Sequence, residues 1–108
     1  MLLQPILEGY YMSNEPGYYV DGEFGFRIES DCVTVKSSEP GDGKKEYLQF
    51  ETVTKVPMSR ALTNPLDLSE EEKKWLNDYH SSCLKELTPL LKEDNRANIW
   101  LKRMCTPY

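Results

Sequence analysis

The sequence predicts an α+β chain, with antiparallel strands and a hairpin in its first part and helices in its last. Two observations predict it. Before Pro65, aromatic and β-branched residues gather in short runs with alternating polarity. After Pro65, apolar residues recur at helical spacing behind a helix-start signal. The change divides the chain into residues 1–64, of strand type, and residues 65–108, a helical extension.

Strands are expected at Tyr10–Ser13, Tyr18–Val20, Glu23–Val35 and Tyr47–Val56. Phe24, Phe26 and Ile28 alternate, so they share one face. Asp21-Gly22 predicts a two-residue type I′ turn, because both central positions of that turn need positive φ. Glu39 to Lys45 reads as a polar connection between strands. Ser69 and Glu72 then form a capping box, with Glu70 and Glu71 where the helix dipole favours anions. Trp75, Leu76, Tyr79, His80, Cys83, Leu84 and Leu87 follow as one stripe. On that stripe His80 reads as a packing or partly exposed histidine rather than a metal ligand. Thr88-Pro89 suits an N-cap and first helical position. A last helix at Ala97–Met104 is expected to bury Ile99, Trp100 and Met104. The first forty residues read as strands of a larger sheet, and Met1 offers no natural domain start. The expectation is therefore a piece of something longer.

Composition narrows the function. The 108 residues suit one small domain or less, and 39% apolar content supports a modest core. With 18 acids against 13 bases and no basic cluster, a nucleic-acid partner is not expected. No apolar run approaches the length of a membrane span, and the N-terminus lacks a basic flank, so no membrane role is expected either. Three widely spaced cysteines, Cys32, Cys83 and Cys105, fit ordinary thiols in the cytoplasm.

The densest chemistry lies between Ser13 and Ser30. With a two-residue turn, Val20 faces Glu23, Glu15 falls opposite Ile28, and Glu15 and Glu29 point to opposite faces. Pro16 and Gly17 break a regular ladder, and one bulged residue there would bring Glu15 opposite Glu29 on a shared face. Like charges so placed repel unless a cation lies between them or one takes up a proton. Hard divalent ions prefer such oxygen ligands. Two readings stay open: a metal site beside Arg27, or two ordinary surface glutamates, one of them salt-bridged to Arg27.

The segments Ser13-Asn14-Glu15-Pro16-Gly17-Tyr18-Tyr19 and Gly22-Glu23-Phe24-Gly25-Phe26-Arg27-Ile28-Glu29 resemble the last metal-binding hairpin of the pita-bread-fold metallopeptidases. Phe50-Glu51-Thr52-Val53-Thr54-Lys55-Val56-Pro57 resembles the final strand of Xaa-Pro aminopeptidase. Trp75-Leu76-Asn77-Asp78-Tyr79-His80 and Trp100-Leu101-Lys102-Arg103 resemble the helical C-terminal extension of its larger, eukaryotic-type members. That tail fits Xaa-Pro aminopeptidase better than prolidase. The resemblance implies the C-terminal part of a pita-bread catalytic domain followed by the helical extension. It also implies an enzyme that removes an N-terminal residue preceding proline, using two divalent ions, commonly manganese, to activate water.

By position, Glu15 matches a metal ligand that also helps move the proton, and Glu29 matches the ligand that bridges both ions. Arg27 and Tyr19 match positions that orient the ligands. The family's two Asp and one His ligands lie upstream of this hairpin, so the chain supplies two of five and is expected to be inactive alone. The partners implied are peptides with proline in second position, for the complete enzyme only, and a homodimer or full-length relative. A second reading is a non-catalytic interaction module that binds a full-length relative through its helical tail. Trp75 and Trp100 would then be its adhesive surface, against the alternative that both are packed internally.

Overall fold

A computed structural model describes residues 4–38 and 46–108, so the connection expected at Glu39 to Lys45 lies outside the described residues. The chain forms two compact units, 1–54 and 55–108. The first holds β1 (Tyr11–Asn14), β2 (Gly17–Val20), β3 (Phe24–Arg27), β4 (Ser30–Lys36) and β5 (Leu48–Thr52). The second holds α1 (Glu70–Leu87) and α2 (Asn95–Met104), with short 3-10 segments at Arg60–Leu62, Pro65–Asp67 and Thr88–Leu91. The structure therefore matches the expected α+β arrangement.

Strands β1, β4 and β5 form an antiparallel sheet in the order β1-β4-β5, and β2 pairs antiparallel with β3. The run expected as one strand from Glu23 to Val35 is two, interrupted at Ile28-Glu29 opposite Glu15-Pro16. Pro16 brings no N–H to a ladder, which explains the break at that level. The chains stay joined there because the Ile28 N–H donates to the Pro16 carbonyl at 3.0 Å.

The turn differs from its expectation. Val20 pairs with Phe24, not Glu23, and the Glu23 N–H donates to the Val20 carbonyl at 3.0 Å. Gly22 has φ +74°, while no residue other than glycine has positive φ among those described. One positive φ, at the second central residue, is the requirement of a type II turn; type I′ needs two. The connection is thus Asp21-Gly22-Glu23.

In the helical unit the capping box forms as expected. The Glu72 N–H donates to Ser69 Oγ at 3.2 Å, and the Ser69 N–H donates to Glu72 Oε2 at 2.8 Å. The Ser69 N–H, and then the Ser69 hydroxyl, both donating to Oε2 at 2.8 Å, hold the Glu72 carboxyl below its usual range. Leu76, His80 and Cys83 are the buried residues of α1, one face at helical spacing. Trp75, expected on that stripe, is 56% exposed and stacks on Tyr79. A short 3-10 segment does start at Thr88, as the Thr88-Pro89 pair suggests, but Thr88 does not cap it: its backbone is helical, and its hydroxyl donates back to the Leu84 carbonyl at 2.6 Å.

The last helix corrects a predicted face. It starts at Asn95, where Asp94 Oδ1 accepts the Ala97 N–H at 2.9 Å, rather than at Ala97. Leu101 is its buried residue, packed with Cys83 and Cys105, whereas Ile99 and Trp100 are about half exposed and Met104 is half-buried. Residues 55–58 also belong with the helices, ahead of the expected boundary at Pro65. Lys55 Nζ lies 3.3 Å from Glu86 Oε1, Tyr79 donates to the Val56 carbonyl at 2.8 Å, and the Met58 N–H donates to His80 Nε2 at 3.1 Å.

Candidate metal-ligand hairpin

Asn14 pairs with Ser30 on one side of the interruption, and Gly17 with Arg27 on the other. Stepping inward from either pair sets Glu15 opposite Glu29. The register on both sides is the same, so no residue is inserted at Pro16-Gly17. The expected shared face is present, but the extra residue that creates it sits in the turn.

Arg27 occupies the space that two facing carboxylates need filled. Its Nη1 lies 2.7 Å from Glu15 Oε2 and 3.9 Å from Glu29 Oε2. Ser13 Oγ donates to Glu15 Oε1 at 2.8 Å. The Tyr19 phenol first, and then Glu15, raise the Arg27 guanidinium above its ordinary range. Side chains of Arg27, Glu15 and Glu29 are 48%, 44% and 52% exposed, so solvent screens the pairs and they add little to stability.

Asp31 lies one step further along the same ladder, and the sequence reading does not single it out. Tyr11 donates to Asp31 Oδ2 at 2.6 Å, and that bond raises the Tyr11 phenol. Glu29 and Asp31 stand at i, i+2 on extended chain, a spacing that puts both on one face and was available as a signal.

Facing carboxylates are the donor type that hard divalent ions accept. Among the described residues, however, no three His, Cys, Asp or Glu are arranged to hold an ion. These residues alone therefore do not fit a two-ion centre. His80 does not add a ligand: it is 1% exposed and its Nε2 accepts the Met58 N–H. No helix among the described residues is long and apolar enough to cross a membrane.

Comparison with known proteins decides the relationship. The family model for the C-terminal region of peptidase M24 matches residues 46–108. The chain belongs to that family. A protein of Laccaria bicolor named Probable Xaa-Pro aminopeptidase P is 47% identical over 104 residues, 95% of this chain and 16% of the relative. One of the same name from Coprinopsis cinerea is 47% identical over 100 residues, 92% of this chain and 16% of the relative. The solved structure of X-prolyl aminopeptidase from Caenorhabditis elegans, described as a cytosolic enzyme with a di-nuclear active site, matches with a TM-score of 0.81 and 31% identity. That match covers 95% of this chain and 17% of the C. elegans chain. The chain thus spans about a sixth of the length of the relatives it matches. The fold is that of the corresponding part of X-prolyl aminopeptidase, in agreement with the resemblance read from the sequence.

Proposed function

We propose that this chain supplies Glu15 and Glu29 as two metal ligands of a dinuclear aminopeptidase that removes an N-terminal residue preceding proline. One observation carries the reading: the hairpin register sets the two carboxylates opposite each other with Arg27 between them. The names of the relatives and the di-nuclear site described for the C. elegans enzyme support it. The remaining ligands come from elsewhere than the described residues, and the chain by itself is inactive.

In this reading the ions are divalent, with manganese the expected metal, and supply activated water. Glu15 also handles the proton, while Arg27 and Tyr19 orient the carboxylates. The substrates are peptides with proline in second position, the setting is cytoplasmic, and a second copy or a full-length relative is the protein partner. The aminopeptidase names of the relatives favour this reading over a purely adhesive module.

The test combines the purified chain with the complementary upstream portion of the L. bicolor relative and measures Xaa-Pro hydrolysis with added Mn²⁺. Activity is expected only in the combination, with a fall of about 100-fold or more in Glu15→Gln and in Glu29→Gln, as for a lost interaction with the reacting centre. Full activity in both variants would sink the proposal.

A further inference from the structure

Basic residues gather on α2, in a chain that is acidic as a whole. The helix carries Arg96, Lys102 and Arg103 and no acid, against 18 acids and 13 bases overall. Arg96, Trp100 and Arg103 stand at i, i+4 and i+7, which puts them on one face. Lys102 and Arg103 fall in the last turn, where the helix dipole favours cations. The dipole accounts for charge there, but not for Trp100 beside it, which is 49% exposed.

A cleft of about 440 Å³ opens on this side of the helical unit, within the size range of ligand pockets. Trp100, Arg103 and Met104 of α2 line it, with Arg60 and Ala61 of the first 3-10 segment. Arg60 is fixed in position. Its guanidinium carbon lies 4.0 Å from the centre of the Tyr108 ring, and its Nη1 donates to the Thr106 carbonyl. Both contacts restrict the side chain and leave its charge uncompensated. A cation so fixed loses less rotamer freedom on binding an anion. Among the described residues no carboxylate pairs with Arg60 or Arg103.

The lining selects the ligand. Guanidinium groups match carboxylates and phosphates in planar, two-bond geometry. The C-terminal end of α2 carries the negative pole of the helix dipole, which disfavours a dianionic phosphate more than a single carboxylate. Trp100 and Met104 add apolar contact, and Trp, Met and Arg are residue types enriched at protein interfaces. We propose that this cleft docks an acidic peptide segment of a partner protein. A carboxylate sits at Arg60 and Arg103, and a neighbouring apolar side chain rests against Trp100 and Met104. The role of the cleft does not depend on that of Glu15 and Glu29.

The test titrates the full 108-residue chain with a short capped peptide of alternating glutamate and phenylalanine, following the Trp100 indole N–H by NMR. That resonance is the one missing in Trp100→Phe. Saturable binding with a dissociation constant below about 1 mM is expected, weakening as salt is added. Arg103→Gln should weaken it about 5-fold or more. Lys102→Gln removes equal charge outside the cleft and should change it less than about 2-fold. Arg60→Gln should match Arg103→Gln; if it unfolds the unit by releasing Thr106 and Tyr108, Arg103→Gln and Trp100→Ala decide alone. Equal losses in Arg103→Gln and Lys102→Gln would reduce binding to net charge and overturn the cleft. Absence of saturable binding overturns it as well. A glutamine peptide that binds equally, or a phosphoserine peptide that binds more tightly, overturns the carboxylate assignment. Displacement of the peptide by the complementary upstream portion of the L. bicolor relative would show that the whole protein covers the cleft itself, which overturns an outside partner.

Discussion

The hairpin-bearing unit buries Cys32 and Thr34 among its described residues, whereas the helical unit buries Pro57, Leu76, His80, Cys83, Leu101 and Cys105. Both are regular in their backbones. The strands form because β-branched and aromatic residues suit the pleat and every rung satisfies a donor and an acceptor. Yet Tyr18, Phe24, Phe26 and Ile28 are 50–58% exposed. Backbone pairing can thus be complete while the apolar side chains it aligns stay about half exposed. The helices differ because their stripe finds partners within the unit: Leu101 meets Cys83 and Cys105, with Tyr79, Leu84, Leu87 and Leu91 around them.

If this contrast is real, truncation should be costly in one region and cheap in the other. Leu101 is fully buried, so Leu101→Ala should lose about 2–5 kcal/mol through lost transfer energy and a cavity. Phe26 is 56% exposed, and Phe26→Ala should cost only about 0.5 kcal/mol. Urea unfolding monitored by circular dichroism compares the two. Equal costs would break the contrast.

The same contrast shows what was legible in the sequence. Local signals were: the capping box at Ser69 and Glu72, the α1 stripe through Leu76, His80 and Cys83, and strands rich in aromatic and β-branched residues. The shared face of Glu15 and Glu29 was legible too, because it depends only on the parity of the inserted residue. Its location in the turn was not, since Asp-Gly serves both turn types. On α2, reading the apolar face as Ile99 and Trp100 instead of Leu101 misplaces it, because one residue is about 100° of helix. Lys55 and Val56 read as the end of a strand by composition, but the contacts of Lys55 with Glu86 and of Val56 with Tyr79 claim them for the helical unit. Such long-range partners leave no trace in periodicity.

His80 offers a sharper probe of the helical unit. Burial, and then the Arg60 charge, hold its pKa below the ordinary value. Below about pH 6.5 the unfolded chain takes up a proton that the folded chain resists, so stability falls as pH falls. His80→Gln keeps an acceptor for the Met58 N–H and removes the titration. The drop in unfolding midpoint between about pH 7 and about pH 5.5 should shrink in the variant. An identical drop would assign the acid sensitivity to other groups.

A smaller effect is expected at the helix start. Ser69→Ala removes the oxygen that accepts the Glu72 N–H and should cost about 0.5–2 kcal/mol in the unfolding midpoint. A loss confined to the first turn, seen as faster amide exchange there with the Leu101 core still protected, would localise it.

The smallest stability effect belongs to the most chemically loaded residue. Glu15→Gln leaves an amide that can still accept from Arg27 and Ser13, and the group is 44% exposed, so the cost should stay within about 0–1 kcal/mol and shrink with added salt. Two like carboxylates facing each other repel, and neutralising one relieves that repulsion, so even a slight gain is consistent. A structural glutamate would behave in the opposite way. A loss above about 2 kcal/mol would mean that the Arg27 contact holds the hairpin together, and the pair would then need no ligand role to account for it. Near-neutral stability is what an exposed glutamate paired with Arg27 gives, and it leaves the complemented hydrolysis assay to decide the ligand role.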